Sequence, residues 1–195
     1  DNNWVQKQTE PRIIESSSGT IIISPNYRVH PRSAPANQSE VILARHPTNP
    51  LIMYGSANTF QGGNFSTGYY VTTNGGDSWY GNDTMTTSSG VPVFNFGDPG
   101  PVIDKDGRFL ISYITLGGSM GASYSTNNGL NFSNTNTFPG AGSTSDKKLS
   151  GTDVVPTSPF YGRSYTVYTE FGGPYSNRIV MSWTSDGGVS WSNVS

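Results

Sequence analysis

The chain has 195 residues, 33% of them hydrophobic and 12% aromatic, enough apolar material for a sizeable buried core and too much for a disordered chain. Charged residues make up 12% and the net charge is -2, so the sequence carries no electrostatic footprint for nucleic acid or an anionic membrane surface. Cysteine is absent, which excludes a disulfide framework and thiolate chemistry, and no apolar run reaches the ~18 residues of a spanning helix.

The opening stretch, "DNNWVQKQTEP", has no initiator Met and no basic-then-apolar leader, the pattern of a mature secreted chain, so the expected location is outside the cell or on its surface. Residues 1–38 read as an N-terminal arm able to supply a closing strand. From residue 39 onward, strand-like runs come in pairs: "SEVILARHP" with "LIMYGSAN", "DPGPVID" with "RFLISYITL", and "TDVVP" with "RSYTVYTEF". The turn-rich linkers "PTNP", "DKDG" and "TSPFYG" separate the members of each pair.

After each pair the chain repeats one eight-residue pattern: "TTNGGDSW" at 72–79, "STNNGLNF" at 125–132 and "TSDGGVSW" at 184–191. The first position is Thr72, Ser125 or Thr184, the third Asn74, Asn127 or Asp186, the fifth Gly76, Gly129 or Gly188, and the eighth Trp79, Phe132 or Trp191. An Asx side chain bonds the backbone two residues on, glycine supplies the positive φ that closes the turn, and the aromatic anchors the next strand beneath it. One and three residues before each box stand Val71 and Tyr69, Tyr124 and Ala122, and Trp183 and Met181, with Tyr70, Ser123 or Ser182 between, an alternation that predicts one buried strand face. Each unit then holds four strands: the two paired runs, one strand before the box and one after it.

Four-stranded units recurring every ~50 residues predict an all-β fold, a β-propeller of antiparallel blades. About three blades fall in this chain, near 39–90, 91–140 and 141–195, which is a partial ring. Further blades are expected from the rest of the polypeptide or from another chain. The pattern S/T-x-D/N-x-G-x-x-W/F resembles the Asp-box, or bacterial neuraminidase repeat, of sialidase-like propellers. In that family the boxes lie on the outer rim, which implies that these twelve box residues are structural.

The resemblance also implies where chemistry would sit. Sialidases use three arginines to grip a carboxylate, a Tyr nucleophile assisted by a Glu, and an Asp acid/base. The first arginine follows a F/Y-R-I-P pattern, and "NYRVHP" puts Arg28 there, with His30 intervening before Pro31. Asp98 in "FGDPGP", Asp146 in "SDKK" and Asp153 in "GTDVV" stand near the starts of first strands, which face a propeller's channel, so they are candidates for binding sugar hydroxyls. Strand-end capping and turn formation are the alternative for each. Asp98 is also a candidate catalytic carboxylate, as is Glu170 in "YTEFGG", which assists a nucleophile on one reading and ends a strand on the other.

No cofactor or metal is expected. "DKDG" lacks the distal ligands of a calcium loop, the two histidines have no zinc spacing, and "GGSMG" has no lysine for a phosphate. Two functions follow: a secreted sialidase-like module that binds a glycan or a surface protein, or an exo-sialidase-type glycoside hydrolase whose remaining catalytic residues lie beyond Ser195.

Overall fold

A computed structural model describes residues 10–24, 29–30 and 37–195, together with the backbone of 3–5. Among the described residues there is no α-helix, only one 3-10 turn at Gly173–Tyr175, and no helix is long and apolar enough to cross a membrane. The strands are β1 (Asn3–Val5), β2 (Arg12–Ser16), β3 (Gly19–Ile23), β4 (Asn37–Arg45), β5 (Met53–Gln61), β6 (Asn64–Thr72), β7 (Ser78–Asn82), β8 (Gly100–Ile103), β9 (Phe109–Ile114), β10 (Met120–Ser125), β11 (Asn136–Thr137), β12 (Ser145–Thr152), β13 (Ser164–Glu170) and β14 (Arg178–Thr184).

They form three antiparallel sheets in chain order and one separate hairpin. Sheet one runs β1-β7-β6-β5-β4, sheet two β11-β10-β9-β8 and sheet three β12-β13-β14, while β2 and β3 pair alone. No sheet closes into a ring. Sheet three has the start of a fourth strand, because Met181 and Ser195 exchange both backbone hydrogen bonds, at 3.0 and 3.1 Å. The first strands β4, β8 and β12 lie side by side where the sheets meet.

Strand alternation explains the stacking. From β9, Phe109, Ile111 and Tyr113 point into a core shared with Tyr54, Tyr69 and Val71 of sheet one, where Tyr54 stacks on Phe109 at 4.8 Å. Leu110, between them, points the other way into a core with Tyr168, Val180 and Trp191 of sheet three. Sheet two is therefore buried on both faces. The single buried face predicted before each box is corrected here, since Tyr70, Ser123 and Ser182 are buried as well. In sheet three the order is reversed: Ser182 is buried while Met181 and Trp183 are half-exposed. The small Ser123 and Ser182 let neighbouring sheets approach closely, so their burial follows the stack rather than hydrophobicity, while Tyr70 is covered by Val29.

Each box folds by the same bonds. The first-position hydroxyl donates to the third-position side chain and accepts the fifth-position N–H, at 2.9 and 2.9 Å in the first box, 2.9 and 2.9 Å in the second, and 2.8 and 3.0 Å in the third. The third-position oxygen also accepts the N–H four residues on: Ser78 at 3.0 Å, Asn131 at 3.2 Å and Ser190 at 2.9 Å. Gly76, Gly129 and Gly188 all have φ between 80 and 102°, and a Cβ at Gly188 would press on Leu110 at 3.1 Å. The closing aromatics go into different cores: Phe132 against Tyr69 at 5.2 Å, and Trp191 against Phe138 at 4.2 Å. Trp79 packs with Tyr70 and Ala57.

Candidate functional site

Asp98 is held in an unusual backbone. Gly97 and Asp98 both have positive φ, 83 and 53°, and a Cβ on Gly97 would collide with the Asn58 side chain, so only glycine fits. Asn95, fully buried, accepts the Gly97 N–H at 2.9 Å and donates to Thr67 at 3.1 Å. Asn58 then clasps Asp98, its side-chain oxygen accepting the Asp98 N–H and its amide donating to the carboxylate at 3.3 Å.

Two more non-glycine residues with positive φ stand at the same end of the sheets. Glu40 (53°) sits where β4 shifts register between Ser39 and Ile42. Lys147 (45°) sits where β12 shifts between Asp146 and Leu149. Bulges re-aim side chains, and these three strained positions converge. Lys147 Nζ meets Glu40 Oε2 at 2.9 Å, and the Lys147 N–H donates to Asp98 Oδ2 at 3.1 Å and to Asp146 Oδ1 at 2.8 Å. Lys148 is fully buried beside them, its Nζ 3.4 Å from the Gly97 carbonyl.

The charged groups of this cluster shift one another. Burial raises the Asp98 carboxyl, but hydrogen bonds with Asp146, Glu40 and Asn58 and the charge of Lys148 outweigh it and bring Asp98 down to about 2. Asp146 moves up, chiefly through its hydrogen bond with Asp98. Burial lowers the Lys148 ammonium to about 7 against the pull of Asp98, Asp146 and Glu40. Asp98 and Asp146 thus behave as a pair with one strongly held negative charge.

A recess of about 260 Å³ adjoins this cluster, lined by Asn37, Gln38, Ser39, Asn58, Phe60 and Phe65. Asn58 belongs to both recess and cluster. The two Phe rings lie 4.6 Å apart and remain partly exposed at the tip of the β5–β6 hairpin. Amides, hydroxyls and apolar ring faces therefore meet in one hollow beside a carboxylate.

The other sequence candidates lie elsewhere. Asp153 does not head a strand as Asp98 does. β12 spans Ser145–Thr152, and Asp153 follows it to build a turn, accepting Val155 N at 3.0 Å and Ser158 Oγ at 2.5 Å. Its counterpart is Asp104, which accepts Asp106 N and Arg108 N at 2.9 and 2.8 Å in the β8–β9 turn. The run "TDVVP" reads as strand because valine favours strands, but the Asp153 side chain competes for the backbone and turns it. Glu170 is buried; its oxygens accept Gly142 N and Ser145 Oγ at 2.8 Å and Gly172 N at 3.1 Å, joining two loops. Arg28 lies outside the described residues. The boxes sit at the strand ends opposite Asp98. Among the described residues no group of three or more His, Asp or Glu is arranged to hold a metal ion.

Sequence reasoning pointed to Asp98 and Asp146 but missed Glu40, Asn58, Lys147 and Lys148. A bulge leaves no mark in the residue pattern, so nothing local to "SEVI" or "DKKL" announces where those side chains turn.

No protein-family model matches the chain, and no curated protein sequence matches it. Among solved structures, it is similar to a protein of unknown function from Dyadobacter fermentans DSM 18053, at 13% identity and a TM-score of 0.58, over 90% of this chain and 53% of that one. It also aligns with the Hadza microbial sialidase Hz136, at 12% identity and a TM-score of 0.49, over 81% of this chain and 33% of that one. The chain thus spans about half the length of the first and a third of the second. The first likeness speaks to fold alone.

Proposed function

We propose that the chain is a sialidase-like propeller module that binds a glycan in the recess beside Asp98. The observation that carries this reading is the convergence of Glu40, Asp98 and Lys147 at the first strands of three successive sheets, each with a positive φ. Strain of this kind costs of order 1–3 kcal/mol per residue and clusters at functional sites. Sugars offer hydroxyls to polar side chains and a C–H face to aromatic rings, which is the mixture Asn37, Ser39, Asn58, Phe60 and Phe65 present, with Asp98 behind Asn58. The three box turns support the propeller architecture.

Isothermal titration with 3′-sialyllactose and with lactose tests the reading. Saturable binding of one of them, weakened at least tenfold by Asp98→Asn and by Phe65→Ala while the melting temperature holds, is the expected result. Binding untouched by either substitution would remove the recess from consideration.

A second reading has its own support. Two adjacent carboxyls driven apart in pKa, Asp98 down and Asp146 up, are what a general acid and base require. No cleavage of a fluorogenic sialoside is expected from the 195-residue chain, because among the described residues no arginine hydrogen-bonds into this cluster. Turnover abolished by both Asp98→Asn and Asp146→Asn would favour a hydrolase.

A further inference from the structure

Each later box turn is held by the sheet before it, and the two devices differ in what they leave open. Sheet two holds the third box with Arg108, whose guanidinium lies 5.1 Å over the Tyr124 ring and donates from Nη1 to the carbonyls of Asp186 and Gly187, at 2.9 and 3.1 Å. It occupies the space that a side chain at Gly187 would take, since a Cβ there would collide with it. Sheet one holds the second box with the Tyr80 hydroxyl, which donates to the Asn128 carbonyl at 2.7 Å. Beside that contact a recess of about 410 Å³ stays open, lined by Tyr69, Thr73, Tyr80, Asn127, Asn128 and Leu130, a size within the range of small-ligand sites.

The second box departs from the other two at two positions, and each departure leaves an amide at this recess. The seventh position is serine in the first and third boxes, where it completes the third-position side chain: Asn74 Nδ2 donates to Ser78 Oγ at 2.9 Å, and Ser190 Oγ donates to Asp186 Oδ2 at 2.5 Å. In the second box Asn131 stands there instead. Asn127 Oδ1 accepts the Ser125 hydroxyl and the Asn131 N–H at 2.9 and 3.2 Å, but among the described residues its Nδ2 meets no acceptor. The fourth position has a positive φ in every box, 77° at Gly75, 55° at Asn128 and 69° at Gly187. Glycine adopts that conformation freely, whereas asparagine carries a Cβ penalty. The turn needs neither departure, because the first and third boxes form without them.

We infer that the second box is a binding site for an uncharged sugar, separate from the recess beside Asp98 at the opposite strand ends. No residue lining the recess carries a charge, so it offers no partner to a carboxylate or an ammonium group. Burial pushes the Tyr80 phenol up to about 12, which keeps it neutral as well. Asn127 Nδ2 is a donor in need of an acceptor, and the Asn128 amide and the Thr73 hydroxyl each combine donor with acceptor. Neighbouring ring hydroxyls of a sugar have the same double character, and their oxygens can take the Asn127 donor. The Tyr80 ring and the exposed Leu130 flank these groups with apolar surface for the sugar's C–H face.

Two substitutions that make the second box read like the third test this, because the third shows that the altered turn folds. Asn127→Asp keeps the oxygen the turn needs and removes the donor, and Asn128→Gly removes the second amide while relieving the backbone. Proton–nitrogen NMR titration with methyl β-galactoside, methyl β-glucoside and methyl α-mannoside reads binding residue by residue. The expected result is a saturable shift of the Asn127 and Asn128 signals with at least one of them. Its dissociation constant should rise at least tenfold in Asn127→Asp and in Asn128→Gly, without a fall in the melting temperature of Asn128→Gly, and should not change in Asp98→Asn. No saturable shift at Asn127 and Asn128 with any of the three overturns the inference, as does binding there that both box variants retain. Glucuronate binding there more tightly than methyl β-glucoside would overturn the uncharged class.

Discussion

Lys148 shows how one buried amine can set the pH response of a fold. Burial holds its pKa near 7, well below the ordinary 10.5. Between those values the unfolded chain binds a proton that the folded chain does not, so this residue makes stability rise as pH climbs from 7 to 10.5. Asp98 acts in another window: its folded pKa is depressed to about 2, so its contribution is present above the ordinary carboxylate range and fades as pH falls toward 2. Lys148→Met should flatten the change in melting temperature between pH 6.5 and 9.5, read by differential scanning calorimetry on both proteins. An unchanged slope would mean that the amine stays protonated in the fold. None of this was legible in "SDKKLS", where nothing distinguishes the two adjacent lysines. The bulge at Lys147 turns one outward to Glu40 and leaves its neighbour inside.

At the scale of elements, the boxes were the most legible feature of the sequence, because their chemistry is local: a hydroxyl, an Asx oxygen and a glycine within five residues fix the turn. Their second task was not legible, since the hydrogen bonds from Tyr80 and Arg108 bridge 48 and 78 or more residues. The box is a clamp on the preceding sheet as much as a hairpin tip. Trp191→Ala should therefore cost about 3–5 kcal/mol, as expected for a large buried aromatic packed on Phe138. Arg108→Ala should cost less, about 0.5–1.5 kcal/mol, because the carbonyls of Asp186 and Gly187 are open enough for water to replace the lost donor. Urea unfolding of both variants measures this, and a Trp191→Ala protein within about 1 kcal/mol of the parent would contradict the packing.

For the whole molecule, strand content and the order of three repeated units followed from periodicity and turn residues, whereas the stacking did not. Ser123, Ser182 and Tyr70 look like outward positions in the sequence; the two serines are buried because their sheets face another, and Tyr70 because Val29 and His30 cover it. That arrangement predicts a gradient in amide exchange. Leu110–Ile114 and Met120–Tyr124 in the doubly covered sheet two should be the slowest. Sheet three should follow, and the β2–β3 hairpin, whose residues are nearly all exposed, should exchange first. Hydrogen–deuterium exchange read by mass spectrometry checks the order; protection of residues 12–23 equal to that of β9 would contradict it.

The direction of the clamps bears on how the protein is made. Tyr69, Val71 and Tyr80 emerge before the turn at Gly129 that rests on them, and Arg108, Leu110 and Tyr124 before the turn at Gly188. Every host therefore precedes its guest along the chain. A ribosome releasing the polypeptide from its N-terminus would always present a finished surface to the next arriving sheet, so the stack can grow during synthesis without waiting for any later segment.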